Sequence, residues 1–185
     1  MALKPSPQRK KPMSKAFLLA GVLMFSPLAP ALAQSAGPTD PQIAHIAYTA
    51  GQLDIDAAKQ ALEKSTNPQV RAFAETMQRD HAAVNQQALA LVTRLHVTPE
   101  ANPTSASLSD AAAATRQRLA GLSGAAFDKA YVDNEVAYHR TVNGAMRRTL
   151  IPDADNAELK SLLQTGLEPF QQHQAHAEHL AHEFH

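Results

Sequence analysis

Three observations predict an all-α protein, an antiparallel four-helix bundle with a long crossover between its second and third helices. Apolar residues recur at alternating spacings of three and four along several long stretches, the signature of one buried helix face. The composition is rich in alanine, lacks tryptophan and is only 5% aromatic, which favours helices packed through small residues over a sheet. No useful length of chain alternates with a period of two, so no sheet is expected.

The first 33 residues do not belong to this fold. Lys4, Arg9, Lys10, Lys11 and Lys15 form a basic segment, and an apolar run follows from Ala16 to Phe25. Ser26, Pro27 and Pro30 then lead to Ala31-Leu32-Ala33. This is the pattern of a secretory signal peptide cleaved near Ala33. The apolar run is about ten residues, half of the roughly 20 that span a bilayer. Met13-Ser14-Lys15 already opens a complete signal, so either Met1 or Met13 can be the start. Residues 34–39 read as a linker and 40–185 as the bundle domain, exported and placed in the periplasm.

The whole chain balances 17 basic against 17 acidic residues. Residues 1–33 hold five of the bases and no acid, so the remainder carries a net charge of −5. That argues against nucleic acid as a partner, because such proteins show a basic excess. Nothing after residue 33 is apolar enough to cross a membrane. The absence of cysteine excludes disulfides, thiolate-bound zinc, iron–sulfur clusters and a thiol nucleophile.

The helices follow from their start and stop signals. Asp40-Pro41 opens helix 1, with Asp as cap and Pro at the first helical position, and the helix should run to about Ser65. Asn67-Pro68 repeats the signal, so helix 2 follows at once, returns antiparallel and runs to about His96. Thr98–Ser107, with two prolines, reads as a loop. Ser109-Asp110 opens a short extra helix ending near Gly121. Ser123 caps helix 3, from Gly124 to Leu150. Pro152 and Asp153 make a tight turn, and helix 4 runs from Ala154 to the C-terminus, with Pro169 inside it.

What interrupts the apolar seams is more informative than the seams. His81, His139 and His173 each stand where an aliphatic residue belongs, and Asp54 does so in one register of helix 1. Asn143 lies one turn beyond His139. These come from all four helices. At 1.5 Å per residue from the turns, Asp54 and His81 are level within about 5 Å, and His139 and His173 within about 6 Å.

A buried polar side chain costs stability unless it is hydrogen-bonded or ligated. Two readings follow. One is a hydrogen-bonded layer in which the imidazoles pair with Asp54, Asp80, Asp128, Glu135, Tyr131 or Tyr138 and fix the helix register. The other is a metal site on Asp54, His81, His139 and His173, since imidazoles plus a carboxylate suit Fe, Zn, Cu or Mn. Paired Glu-x-x-His motifs, which a di-iron bundle supplies, are absent. His176, His179, His182 and His185 continue a three-residue spacing from His173. That spacing drifts around a helix, so these four read as outward-facing residues near a helix end, or as a surface metal site. No phosphate loop, nucleophile elbow or other catalytic constellation is present.

Several stretches together resemble a known family. They are Gly51-Gln52-Leu53-Asp54, Asn67-Pro68 through Ala74, Met77-Gln78-Arg79-Asp80-His81 with Asn85, and Leu122 through Val132 containing Phe127-Asp128-x-x-Tyr131-Val132. His139, and Pro169 with His173 and Ala177, complete the set. They are similar to the bacterial exported domain-of-unknown-function family 4142, sometimes labelled a predicted outer-membrane protein. The resemblance spans about Pro41–His182. It implies a ferritin-like bundle in the cell envelope and places Asp54, Asp80, His81, Asp128, His139 and His173 at motif positions. The family usually has glutamate where this chain has the shorter Asp54. It brings no agreed activity. The function expected is a periplasmic binding or envelope-stress module with a buried His/Asp layer. The alternatives are a metal-binding or redox protein using the bundle histidines, and a purely structural interaction domain.

Overall fold

The computed structural model describes residues 37–184. The expected signal segment 1–33, linker residues 34–36 and His185 lie outside the described residues. Among the described residues every regular element is helical: α1 Asp40–Lys64, α2 Pro68–Arg94, α3 Pro103–Ala120, α4 Gly124–Ala145, a π-helical turn Met146–Leu150, a stub α5 Ile151–Asp153, and α6 Ala157–His182. Helices α1 and α2 pack as one pair and α4 and α6 as another, with α2 against α6. Helix α3 lies chiefly along α1 and touches α4. No described helix is long and apolar enough to cross a membrane.

The caps explain where elements begin. Thr39, rather than Asp40, caps α1, and its N–H donates to Gln42 Oε1 at 3.2 Å. The Asp40 carboxylate is thereby left to accept the N–H groups of Asp155 (2.9 Å) and Asn156 (2.8 Å), which ties the start of α1 to the start of α6. Asn67 Oδ1 accepts from Gln69 and Val70, as expected for an Asn-Pro start.

Three boundaries differ from the sequence expectation. Helix α3 starts at Pro103 and not at Ser109, because Asn102-Pro103 repeats the Asn-Pro start: Asn102 Oδ1 accepts from Ser105 N at 3.1 Å. The loop before it shrinks accordingly. Pro152 sits inside the stub α5 and does not end a helix at Leu150. Helix α6 begins at Ala157 and not at Ala154, capped by Asn156.

Two apolar clusters make up the core of the bundle. One gathers Ala57, Ala61, Phe73, Met77, Phe127, Tyr131 and Leu180. The other gathers Ile43, Ile46, Leu91, Met146, Leu150, Leu163 and Phe170. Between them in chain order on each long helix stand Asp54; His81 and Asn85; Glu135, His139 and Asn143; and His173, all buried. In antiparallel helices that ordering makes one polar layer across the middle of the core.

Candidate functional site

Each helix supplies the layer from the position its apolar face dictates. Asp54 sits between Ala50 and Ala57 on the buried face of α1, and Glu135 and His139 lie one turn apart on α4. The structure brings Asp54, His81, His139 and His173 together. Asp54 Oδ2 lies 2.5 Å from His81 Nε2 and 3.7 Å from His139 Nε2. This contact pairs the two side chains and helps hold Asp54 ionised, while Asp54 Oδ1 and His81 Nδ1 remain without a hydrogen-bond partner. His81, His139 and His173 each offer a ring nitrogen, and these lie within 4.8 Å of one another. Phe170 stacks on His81 at 4.4 Å between centroids, 11° from parallel.

The outward sides of two imidazoles are held. His139 Nδ1 is 3.0 Å from the Glu135 carbonyl oxygen, which can only accept, so the proton is on Nδ1. His173 Nε2 is 3.0 Å from Asp80 Oδ2. Arg79 donates to the same carboxylate at 2.8 Å. Burial alone would raise the Asp80 carboxyl, but Arg79 and His173 hold it below its ordinary value. Ionised Asp80 therefore accepts the His173 Nε2 proton. The remaining nitrogens, His139 Nε2 and His173 Nδ1, have no partner, and neither has His81 Nδ1.

Charge is distributed unevenly over the layer. Burial would push Asp54 up, yet His81 and His139 outweigh it and hold the carboxyl well below the usual range. Burial and the Asp54 charge beside it push Glu135 well up. One carboxylate of the pair is thus ionised and the other favours its proton. Burial lowers His139, against the pull of Asp54. It brings His173 from 6.5 to about 4. Both are neutral imidazoles at pH 7, the form that ligates metal.

The other expected residues divide. Tyr131 is fully buried next to the layer; burial, Glu135 and Asp54 raise its phenol. Asp128 is buried seven residues before Glu135, about 10 Å along the helix, and so lies apart from the imidazoles. Asn143 donates to the Phe170 carbonyl at 3.1 Å and to Gln174 at 3.0 Å. His176, His179 and His182 are exposed on α6, with His176 edge-on to Phe73. None of the three belongs to a metal-capable group among the described residues.

Asp54, Glu135 and His139 form a second such group. Only His139 Nε2 is unpartnered, because Nδ1 faces the Glu135 carbonyl, so one imidazole cannot serve two ions at once. Sequence reasoning missed two features on the other side of the layer: the π-helical turn Met146–Leu150 and a cavity that Gly166 helps to line. A glycine in a helix interior was the visible signal for the second.

Comparison places the fold among known proteins. A secreted DUF305 protein of Streptomyces coelicolor superposes with a TM-score of 0.64 at 12% identity, over 77% of this chain and 91% of that one. CopM in the Cu(II)-bound form gives 0.62 at 14% identity, over 80% and 99%. No curated protein matches the sequence. The model of one family, described as Domain of unknown function (DUF4142), matches residues 26–180, and the chain belongs to that family.

Proposed function

We propose that this chain is an exported, periplasmic metal-binding bundle that holds one transition-metal ion on His81, His139 and His173, with Asp54 as the carboxylate donor. The observation that carries the reading is the placement of the imidazole protons. His139 and His173 each donate outward, to the Glu135 carbonyl and to Asp80, which leaves unpartnered lone pairs beside His81 in the buried centre. Outer groups that fix the ligating tautomer are the usual companions of metal-bound histidine. Three imidazoles and a carboxylate suit Fe, Zn, Cu or Mn. A bound ion would supply positive charge opposite Asp54 and satisfy nitrogens that otherwise cost about 1–3 kcal/mol each to leave unpaired. The similar CopM fold is described with Cu(II), so copper is the first ion to try.

One observation favours a second reading. The close contact of His81 with Asp54 also suits a metal-free layer whose role is helix register. Metal analysis of the untagged chain from residue 34 separates the two. The metal reading expects one equivalent of ion, lost in His139→Ala and His173→Ala and kept when His176, His179 and His182 are all changed to Ala. Protein that stays metal-free under every ion offered, or that loses its ion only in the triple surface variant, overturns it.

A further inference from the structure

On the Ile46–Leu163 side of the polar layer the four helices do not fill their own core. A cavity of about 310 Å³ lies there, walled by residues such as Ile46, Val84, Ala88, Val142, Met146 and Leu163. At one end it reaches His81, His139, Asn85 and Tyr138. Close packing is the rule in protein interiors, and two local features keep this space open. Gly166 lines it, and a Cβ there would meet nothing nearer than Val84 Cγ1 at 3.7 Å and Phe170 Cε2 at 3.8 Å. Alanine would therefore fit and would make the better helix. The π-helical turn lines it too, through Met146, Thr149 and Leu150, and such turns recur at functional sites.

The lining selects the ligand. No Lys, Arg, Asp or Glu side chain borders the cavity, so a carboxylate or an ammonium would enter without a partner. The volume sits at the low end of small-molecule pockets. Two of the groups at the polar end are already engaged: Tyr138 OH donates to the Ala50 carbonyl at 2.7 Å, and Asn85 Nδ2 donates to the Tyr48 carbonyl at 3.3 Å. Thr141 Oγ1 likewise donates to the Ala137 carbonyl at 2.9 Å, and Thr104 and Thr149 line the wall. Beside the polar layer what remains is imidazole. His81 keeps Nδ1 unpartnered, its Nε2 facing Asp54, and His139 keeps Nε2. An imidazole lone pair asks for a hydroxyl donor.

We infer that this cavity binds a small uncharged alcohol or phenol, its apolar body among the aliphatic side chains and its hydroxyl at the His81–His139 end; an alkylphenol is the probe of choice. The apolar part of the site stands whether or not the histidines hold an ion. With an ion present, and there the inference rests on the metal reading, the same oxygen faces the ion's ligand set.

Calorimetric titration with 4-propylphenol, on metal-stripped protein and again on copper-loaded protein, tests this. Saturable one-to-one binding is expected in the stripped state, with hexanoate at least tenfold weaker. Gly166→Leu and Ala88→Leu, which fill the space from two helices, should each weaken phenol binding at least tenfold. Gly166→Ala should keep the fold and weaken it less. Leu89→Ala, at an exposed site outside the cavity, should change nothing. Absence of saturable binding in both states overturns the inference, as does hexanoate binding to the stripped protein as well as the phenol, or cavity-filling variants that stay folded and bind undiminished. If the phenol binds while no ion ever does, the metal reading fails alone; if the ion binds and the phenol does not, the cavity inference fails alone.

Discussion

Asp80 and His81 are neighbours in the chain and serve different partners. Successive helix residues point about 100° apart, so His81 faces Asp54 of α1 while Asp80 turns to His173 of α6. Asp80 is thus a positioning group for a ligand it does not precede. Asp80→Ala should lower metal affinity roughly 10–100-fold, the usual effect of removing such an outer partner. Asp80→Asn, whose carbonyl can still accept the His173 Nε2 proton, should recover part of it. Competition titration against a chelator reads both, and an Asp80→Ala variant of undiminished affinity removes Asp80 from the site. The histidines also set a pH dependence in the metal-free protein. His139 and His173 take up a proton less readily folded than unfolded, so the unfolded chain binds more protons once pH drops below 6.5. Their contribution to stability is complete above that value and is lost as pH falls toward about 4. Asp54, held low, adds its own loss only at pH below its ordinary 3.8. Glu135, whose carboxyl is held well up, works in the opposite sense and destabilises the fold as pH rises above its ordinary 4.5. In a Glu135→Gln variant, which removes that opposing titration, urea midpoints should agree between about pH 7 and 8 and fall between about pH 6.5 and 4; a midpoint that does not move over the lower range contradicts this account.

At the level of elements, the long helices were legible because their apolar spacing carries the signal locally, and for α2 the Asn67-Pro68 cap adds to it; Ser123 precedes α4 without a side-chain cap bond. Helix α3 was not, at its start. Of its residues only Ser105 and Leu119 are buried, so almost no seam marks it, and two nearby prolines read as loop. What begins the helix is one side chain, Asn102, bonded to Ser105 N. What holds it is tethering to α1: Gln60 donates to the Arg116 carbonyl at 3.0 Å, Arg116 meets Asp56 at 3.1 Å, and Lys64 donates to the Ala120 carbonyl at 2.9 Å. Beneath it a second cavity of about 210 Å³ reaches Asp54 and Glu135. Asn102→Ala should cost about 1 kcal/mol and raise hydrogen exchange in the first turn of α3 ahead of the rest of the bundle. Leu119→Ala, at a fully buried position, should cost about 2–5 kcal/mol. The π-helical turn left no trace in the sequence, because Met146–Leu150 continues the same apolar spacing as α4.

Over the whole molecule the polar layer divides two apolar cores. Its existence was legible: four seam positions held residues of the wrong polarity, and counting from the turns put them at similar heights. Its wiring was not, because which nitrogen of an imidazole is occupied depends on neighbours that only the fold supplies, such as the Glu135 carbonyl and Asp80. The layer's cost to the fold separates a structural role from a binding one. His81→Leu alone leaves ionised Asp54 buried with less compensation, and breaking such a pair from one side typically costs roughly 3–5 kcal/mol. Replacing both, as Asp54→Leu with His81→Leu, removes the charge and the partner together. Substitution of a buried pair by apolar residues of similar volume is often neutral or stabilising by about 1–4 kcal/mol. The double variant of the metal-free protein should therefore be no less stable than the parent, with strong non-additivity in the double-mutant cycle. Added copper reverses the order. An ion that binds only the folded state raises parent stability by about 2.7 kcal/mol at one hundred times its dissociation constant, and leaves the double variant unchanged. A double variant several kcal/mol less stable than the metal-free parent would make the layer a structural device, and the metal reading would lose its physical reason.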